Sequence, residues 1–207
     1  MEKSEVNMGL AFPVMEHFYT IQGEGYYQGR AAYFVRLGGC DVGCLWCDVK
    51  ESWDAAAHPL MTVDEIITEV QNAGAKMCVI TGGEPAMYDL SEITRALHAV
   101  GVATNIETSG AYKIRGEFDW ICVSPKRFKL PLDESLKMAH ELKVIVYHKN
   151  DTRFAEEYAA KVSEKCKLYL QPEWSNEEEM VPLIIDYVKQ HPEWEVSLQI
   201  HKYMNIP

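Results

Sequence analysis

Gly38-Gly39-Cys40-Asp41-Val42-Gly43-Cys44-Leu45-Trp46-Cys47-Asp48 carries three thiols within eight residues, with three residues between the first pair and two between the second. Glycines at 38, 39 and 43 let the backbone turn sharply around them. The spacing allows Cys40, Cys44 and Cys47 to converge on one metal centre. Structural zinc takes four ligands, usually as two separated pairs, and no second cysteine pair follows. An iron-sulfur cluster is normally held by four thiolates, so three in one loop leave one iron open to a small molecule. The bland alternative is three buried, inert cysteines, but a glycine-rich loop buries little.

Outward from this loop the chain alternates strand and helix signals. Residues 1–7 are expected to be mobile. Glu16 to Ile21 reads as a short strand followed by the polar turn Gln22-Gly23-Glu24-Gly25, and Ala32 to Leu37 is an apolar run that ends at the cysteine loop. Arg36 inside that run needs an acidic partner. Thr62 followed by Glu65 is a capping-box signature, and Ile66, Ile67 and Val70 recur at helical spacing until Gly74. Met77 to Ile80 is a buried strand, Ser91 to Val100 an amphipathic helix, and Val102 to Ile106, Trp120 to Val123, Leu142 to Tyr147 and Lys167 to Leu170 are further strands. Asp151 is expected to cap the helix carrying Phe154, Tyr158 and Val162, and Asn176 with Glu179 to form a second capping box. Val196, Leu198 and Ile200 alternate with Ser197, Gln199 and His201, the period of a last strand.

Six or seven strands separated by helices form the pattern of βα units around a parallel sheet. A complete eight-fold barrel takes about 250 residues. The fold expected for 207 residues is therefore α/β, a shortened, open (β/α) partial barrel of the TIM type, with residues 1–207 as a single domain. The cysteine loop, Gly82-Gly83-Glu84-Pro85, Glu107-Thr108-Ser109-Gly110, Ser124-Pro125-Lys126, Gln171-Pro172 and His201 each follow an apolar run. In parallel barrels that end of the strands is where active sites form.

Each motif has a physical reason. Gly82 and Gly83 permit close approach of a ligand to the backbone, and Glu84 offers acceptors to an ammonium group. Ser109 and Ser124 offer hydroxyls, although serines near strand ends are often turn formers, and Lys126 offers a point charge. Lys143 either faces the barrel mouth or sits at an exposed strand start, and the sequence does not choose. Trp46 and Trp53 either wall the site or pack. Cys78 and Cys122 read as core, and Cys166, between two lysines, as exposed. His201 shares the polar face of the last strand with Gln199, although a lone histidine is more often a surface or satisfied core residue.

The composition fits an intracellular enzyme. The six cysteines do not form a disulfide framework, which suits a reducing, cytoplasmic compartment. A net charge of −11 argues against a broad nucleic-acid surface. There is no basic region followed by an apolar run at the start and no apolar run of about 18 residues, so neither secretion nor a membrane span is expected.

The cysteine loop resembles the cluster loop of the radical S-adenosylmethionine (SAM) superfamily. That resemblance implies a [4Fe-4S] cluster on Cys40, Cys44 and Cys47 and reductive cleavage of SAM, chelated to the open iron, to a 5'-deoxyadenosyl radical. The ordered set Ile21 to Gly25, Phe34 to Leu37, Trp46-Cys47-Asp48 with Trp53, Gly82 to Pro85, Glu107 to Gly110, Ser124 to Lys126 and Leu198 to Tyr203 covers nearly the whole chain and is similar to the 7-carboxy-7-deazaguanine synthases. Membership would imply conversion of 6-carboxy-5,6,7,8-tetrahydropterin to 7-carboxy-7-deazaguanine, with ring contraction and ammonia loss, in queuosine and other 7-deazapurine biosynthesis. SAM would be used catalytically, magnesium would assist, flavodoxin or ferredoxin would supply electrons, and the enzyme would be a homodimer.

By matching position the resemblance assigns Trp46, Cys47, Asp48, Gly83, Glu84, Ser109, Ser124, Pro125, Lys126 and Gln171 to SAM. It assigns Ile21, Gln22, Gly23, Glu24, Arg36, Thr81, His201 and Pro207 to substrate, with Arg36 suited to the substrate carboxylate. One position departs from the family: Val49 stands where a threonine hydroxyl usually helps to bind magnesium, and valine has no oxygen for a hard cation. The alternatives from other classes are a radical SAM activating enzyme that installs a glycyl radical on a partner protein, and a non-catalytic iron-sulfur protein.

Overall fold

In the computed structural model, which describes residues 10–207, seven strands run parallel and two more extend the sheet antiparallel at one edge. The expected mobility of residues 1–7 lies outside the described residues. The strands are β1 (Ala11–Ile21), β2 (Ala31–Leu37), β3 (Leu60–Thr62), β4 (Met77–Gly82), β5 (Ala103–Thr108), β6 (Trp120–Val123), β7 (Glu141–Val146), β8 (Lys167–Pro172) and β9 (Trp194–Val196). Their order in space is β3-β1-β2-β4-β5-β6-β7-β8-β9, so among the described residues the sheet has two edges and is an open partial barrel.

Period-two alternation gives the sheet two unlike faces. Leu37, Ile80, Ile106, Val123, Leu142, Val144 and Leu170 are fully buried in one apolar core with residues of the helices. That side is covered by α1 (Val63–Asn72), α2 (Ser91–Ala99), α3 (Asp133–Met138), α4 (Asp151–Ala159) and α5 (Glu177–Gln190). The intervening residues Arg36, Thr81, Glu107, Lys143 and Gln171 line a cavity on the other face. Below them Ala32, Phe34, Met77 and Val79 form a smaller apolar cluster that packs against Phe18 and Tyr27.

Helix α1 begins as its sequence predicts. The Thr62 hydroxyl accepts from Glu65 N, and the Glu65 carboxylate accepts from Thr62 N at 2.8 Å, closing the capping box. The other two expected caps do not form. Asp151 is the first residue of α4, and its carboxylate instead accepts from the amides of Tyr147 and His148 and from Arg127. Asn176 stands at the N-cap position of α5 but makes no side-chain cap bond, and its amide NH2 donates to Tyr147 O at 2.8 Å. Both side chains hold the turn after β7.

The expected last strand also ends early. β9 stops at Val196, opposite Leu170, and Ile200–Met204 is a short helix, α6. Ser197 N makes one more bond to Leu170 O at 2.9 Å, and further on Pro172 has no N–H with which to continue the ladder. The chain then crosses to the β1–β2 connection, where Ile200 N donates to Gly23 O at 3.0 Å. Gln199 and His201 therefore reach the cavity from a turn and a helix rather than from the polar face of a strand.

Replacing Thr62 by Ala removes a satisfied cap and is expected to lower stability by about 1 kcal/mol. Asn176→Ala should leave α5's start unaffected as a cap and destabilise only through the lost bond to Tyr147. Urea denaturation of both variants, with helix content followed by circular dichroism, checks the contrast.

Candidate active site

The connection between β1 and β2, residues 22–30, folds inward against the parallel strands. Tyr26 stacks on Trp120 with ring centroids 4.5 Å apart, and Trp120 Nε1 donates to Glu141 at 2.8 Å. This packing carries the Gln22 and Glu24 side chains onto the inner face, where Gln22 Nε2 donates to Glu107 at 2.8 Å. A cavity of about 280 Å³ opens above them. Of the residues assigned from sequence, every one except Pro125 lines it, including Cys40, Cys44, Cys47, Val49, His201 and Pro207.

The cysteine loop is fixed by a close backbone approach. Gly83 N donates to Leu37 O at 2.9 Å and Glu84 N to Gly39 O at 2.8 Å. A Cβ on Gly83 would meet Gly39 O and Cys40 Cβ, so only glycine allows the two turns to touch. Among the described residues no three His, Cys, Asp or Glu side chains converge as the ligands of one metal ion do. A four-iron cluster bonds each thiolate to a different iron, so its ligands stand further apart than those of a single ion. Burial pushes the Cys40 and Cys44 thiols up, which keeps them protonated until a cationic centre compensates. Three thiols on one cavity wall, two of them in surroundings that a cationic centre would compensate, fit a cluster.

Glu84 is 1% exposed, and its carboxylate is already engaged. It accepts from Ala86 N at 3.0 Å, from Ser109 N at 2.8 Å, and from the hydroxyls of Thr108 and Ser109. The carboxylate thus joins the turn after β4 to the turn after β5, and Gly82, Gly83 and Glu84 of this motif all line the cavity. Glu84 braces the two turns in addition to lining the cavity where the sequence placed it.

Lys126 lies beside Trp46, its ammonium 5.3 Å from the ring centroid, and donates to Ser124 at 2.6 Å. Burial lowers its pKa. Arg36 has the acidic partner that its position requires: Nε donates to Glu16 Oε1 at 2.6 Å. An irregularity in β1 between Val14 and Glu16 sets Glu16 directly opposite Arg36. The salt bridge uses the Nε of the guanidinium.

Lys143, which the sequence left between mouth and surface, is 3% exposed on the inner face and pairs with Glu24. Burial alone would raise the Glu24 carboxyl, but the charge and hydrogen bond of Lys143 outweigh it and hold the group at about 2 against an ordinary 4.5. Burial lowers the pKa of His201, which packs on Gly23. Asp48, beside Cys47, is paired with Lys202 of α6 at 3.1 Å. Cys78 and Cys122 are core, as expected, whereas Cys166 is 9% exposed and belongs to the helix-side core rather than the surface. It stands just before β8, where the chain has already turned inward between its flanking lysines.

Sequence reasoning assigned no site role to Phe18, Phe34, Ile145, Glu173 and Trp174, which also line the cavity. Phe34 and Ile145 could have been found from the alternation with Arg36 and Lys143; Trp174 carries no comparable signal. Among the described residues no helix is long and apolar enough to cross a membrane.

Residues 34–204 match the model of the radical SAM superfamily. The chain is 57% identical to the 7-carboxy-7-deazaguanine synthase of Flavobacterium psychrophilum, over 98% of this chain and 96% of that protein. It is 45% identical to the synthase of the same name from Synechocystis, over 95% and 94% of the two chains. The crystal structure of QueE from Escherichia coli superposes with a TM-score of 0.82 at 31% identity, covering 91% of this chain and 94% of the other.

The Glu24 carboxylate contributes stability that is fully present above about pH 4.5 and is lost as pH falls toward about 2. Urea denaturation should therefore show Glu24→Gln less stable than wild type near neutral pH, by on the order of 3 kcal/mol. The gap should close on acidification through that window. A gap that stays constant down to pH of about 2 would mean that the Lys143 pair does not hold this proton off.

Proposed function

The chain belongs to the 7-carboxy-7-deazaguanine synthase family of the radical SAM superfamily, and from that premise we propose how its site does the family's work. It is a radical SAM enzyme that converts 6-carboxy-5,6,7,8-tetrahydropterin to 7-carboxy-7-deazaguanine, with ring contraction and loss of ammonia, in 7-deazapurine biosynthesis. A [4Fe-4S] cluster and SAM are its cofactors and, when bound, supply the radical chemistry. The observation that carries the reading is one cavity that joins three cysteines on its rim to a polar inner face.

In this reading Cys40, Cys44 and Cys47 hold the cluster. Trp46, Asp48, the Gly82-Gly83 backbone, Ser124, Lys126 and Gln171 surround SAM, with Glu84 and Ser109 bracing the turns that present it and Pro125 shaping the loop. Gln22, Gly23, Glu24, Arg36, Thr81 and His201 face the substrate, with Ile21 and Pro207 at its edges. The free edge of Arg36, aimed by Glu16, suits the substrate carboxylate as a bidentate partner. The protein's part is to orient the two small molecules and keep water from them.

The continuous sheet supports a single radical SAM domain. We also propose a cytoplasmic homodimer served by a flavodoxin or ferredoxin. Val49 lines the cavity, and its carbonyl accepts from the Ser52 hydroxyl at 2.7 Å. With no side-chain oxygen at this position, magnesium would be held by substrate oxygens, water and Asp48, and dependence on the ion would be weaker than in relatives with threonine. The activating-enzyme alternative is not favoured, since relatives that match nearly the whole chain are named as synthases.

Anaerobic reconstitution with iron and sulfide, followed by incubation with SAM, a reductant and the carboxytetrahydropterin, tests the function. Mass spectrometry should find 7-carboxy-7-deazaguanine, and Cys44→Ala should abolish it. 5'-Deoxyadenosine without any change in the pterin would reject the substrate and move the activating-enzyme reading forward. In the same assay Val49→Thr should make the rate more sensitive to magnesium chelation than wild type; equal sensitivity would remove Val49 as the cause of any difference.

A further inference from the structure

Two glutamates on the inner face share one bracket. Glu24 comes from the β1–β2 connection and Glu107 from β5, and both line the cavity. The Lys143 ammonium bonds to Oε2 of Glu24 and lies 3.7 Å from Oε2 of Glu107. Glutamine amides take the other oxygens. Gln22 Nε2 donates to Glu107 Oε1 at 2.8 Å, and Gln199 Nε2 donates to Glu24 Oε1 at 2.7 Å. The amides are themselves fixed, Gln22 Oε1 by Glu24 N at 3.0 Å and Gln199 Oε1 by Lys202 at 3.1 Å.

A buried ammonium needs a carboxylate to neutralise it, and one would suffice. The second leaves this region with one cation and two anions, a net negative charge facing the cavity. A carboxylate has about four acceptor positions, so each glutamate keeps free lone pairs after these contacts. Arg36 and Lys126 supply cations elsewhere on the same wall. The cavity therefore offers fixed acceptors in one region and fixed donors in another, which suits a flat ring with an N–H-rich edge and a separate carboxylate.

We propose that Lys143 is a substrate-positioning residue: it holds Glu24 and Glu107 as a rigid pair of acceptors for the N–H edge of the ring, while Arg36 takes the carboxylate. The assignment rests on the substrate reading above and states which group sets its orientation. The groups that face Lys143 are Glu24, Glu107, Glu141 of its own strand and the Cys122 thiol, with Lys126 and His201 further off. Their carboxylates outweigh burial and raise the Lys143 pKa well above its ordinary value, so the cation persists across the working range. Without it, two neighbouring half-buried carboxylates disfavour each other's charge, and a proton enters the pair as pH falls.

Anaerobic equilibrium dialysis of 6-carboxy-5,6,7,8-tetrahydropterin against the reconstituted, SAM-loaded enzyme tests this, from about pH 5.5 to about pH 8.5. Lys143→Met should bind at least about tenfold more weakly than wild type, by a factor that changes with pH, and Lys143→Arg should recover much of the affinity. Unchanged affinity, a loss constant with pH, or no recovery with arginine would overturn the proposal. Cluster absorbance reports folding. If Lys143→Met does not take up a cluster, the double variant Lys143→Met/Glu107→Gln, which keeps the buried net charge of wild type, carries the same expectation. If neither folds, Lys143 serves the fold and the proposal fails. Wild type that binds SAM but not the pterin would sink the substrate reading and this inference with it; normal wild-type binding with normal Lys143→Met binding sinks this inference alone.

Discussion

Burying the ammonium of Lys143 in the middle of a parallel sheet costs several kcal/mol unless anionic partners are brought to it. Its own strand offers Glu141, which is engaged with Trp120 and the Tyr26 amide, so the partners come from elsewhere. Glu107 arrives from β5 and Glu24 from the β1–β2 connection, far away in sequence. The inward fold of residues 22–30 and the departure of the chain from β9 toward Gly23 follow from this demand. Each brings a side chain, Glu24 or Gln199, that completes the bracket. One buried charge thus organises two segments that local propensity would have left as surface turns.

The rim obeys a different constraint. There the issue is how closely two backbones approach, and glycine at 83 lets the turn after β4 bond directly to Gly39 in the cysteine loop. Glu84 then ties that turn to Thr108 and Ser109 after β5. Three neighbouring strand ends become one rigid edge, so the thiols are held by these bonds together with the burial of Val42 and Cys44 in their own loop. Position there depends on hydrogen bonds between turns, whereas position on the inner face depends on charge.

Much of this was legible in the sequence because it is local. The strand runs, the Thr62 capping box and the clustering of polar motifs after strands follow from periodicity and side-chain chemistry over a few residues. The individual site residues came from the family resemblance instead, and nearly all of them line one cavity. The misreadings share the opposite cause. Asp151 and Asn176 looked like caps, but the nearby turn after β7 had amides and a carbonyl that competed for them. The alternation of Val196, Leu198 and Ile200 promised a strand, yet Pro172 in the neighbouring strand withholds the N–H that its continuation would use. Lys143 was ambiguous because a lysine in an apolar run is explained only by partners distant in sequence. The bracing role of Glu84 was hidden because saturation by four donors is a tertiary fact.

The same architecture explains how radical chemistry can be kept from solvent in so short a chain. A full barrel would enclose its ligands with strands all round; this sheet leaves two edges, β3 and β9, among the described residues. Enclosure must then come from what crosses the open side. Below, the Tyr26–Trp120 stack and the apolar cluster around Phe34 close the base. Above, α6 spans from Gly23 to the cysteine loop, held by the Ile200 amide at one end and by the Lys202–Asp48 pair at the other. Lys202 also sits over the Trp174 ring at 4.9 Å, which joins the helix to the turn after β8. The surface ion pair is weak by itself. Combined with a backbone bond and a cation–π contact on one short helix, it places His201 and Pro207 on the cavity wall and makes residues 200–207 part of the enclosure on the open side of the sheet.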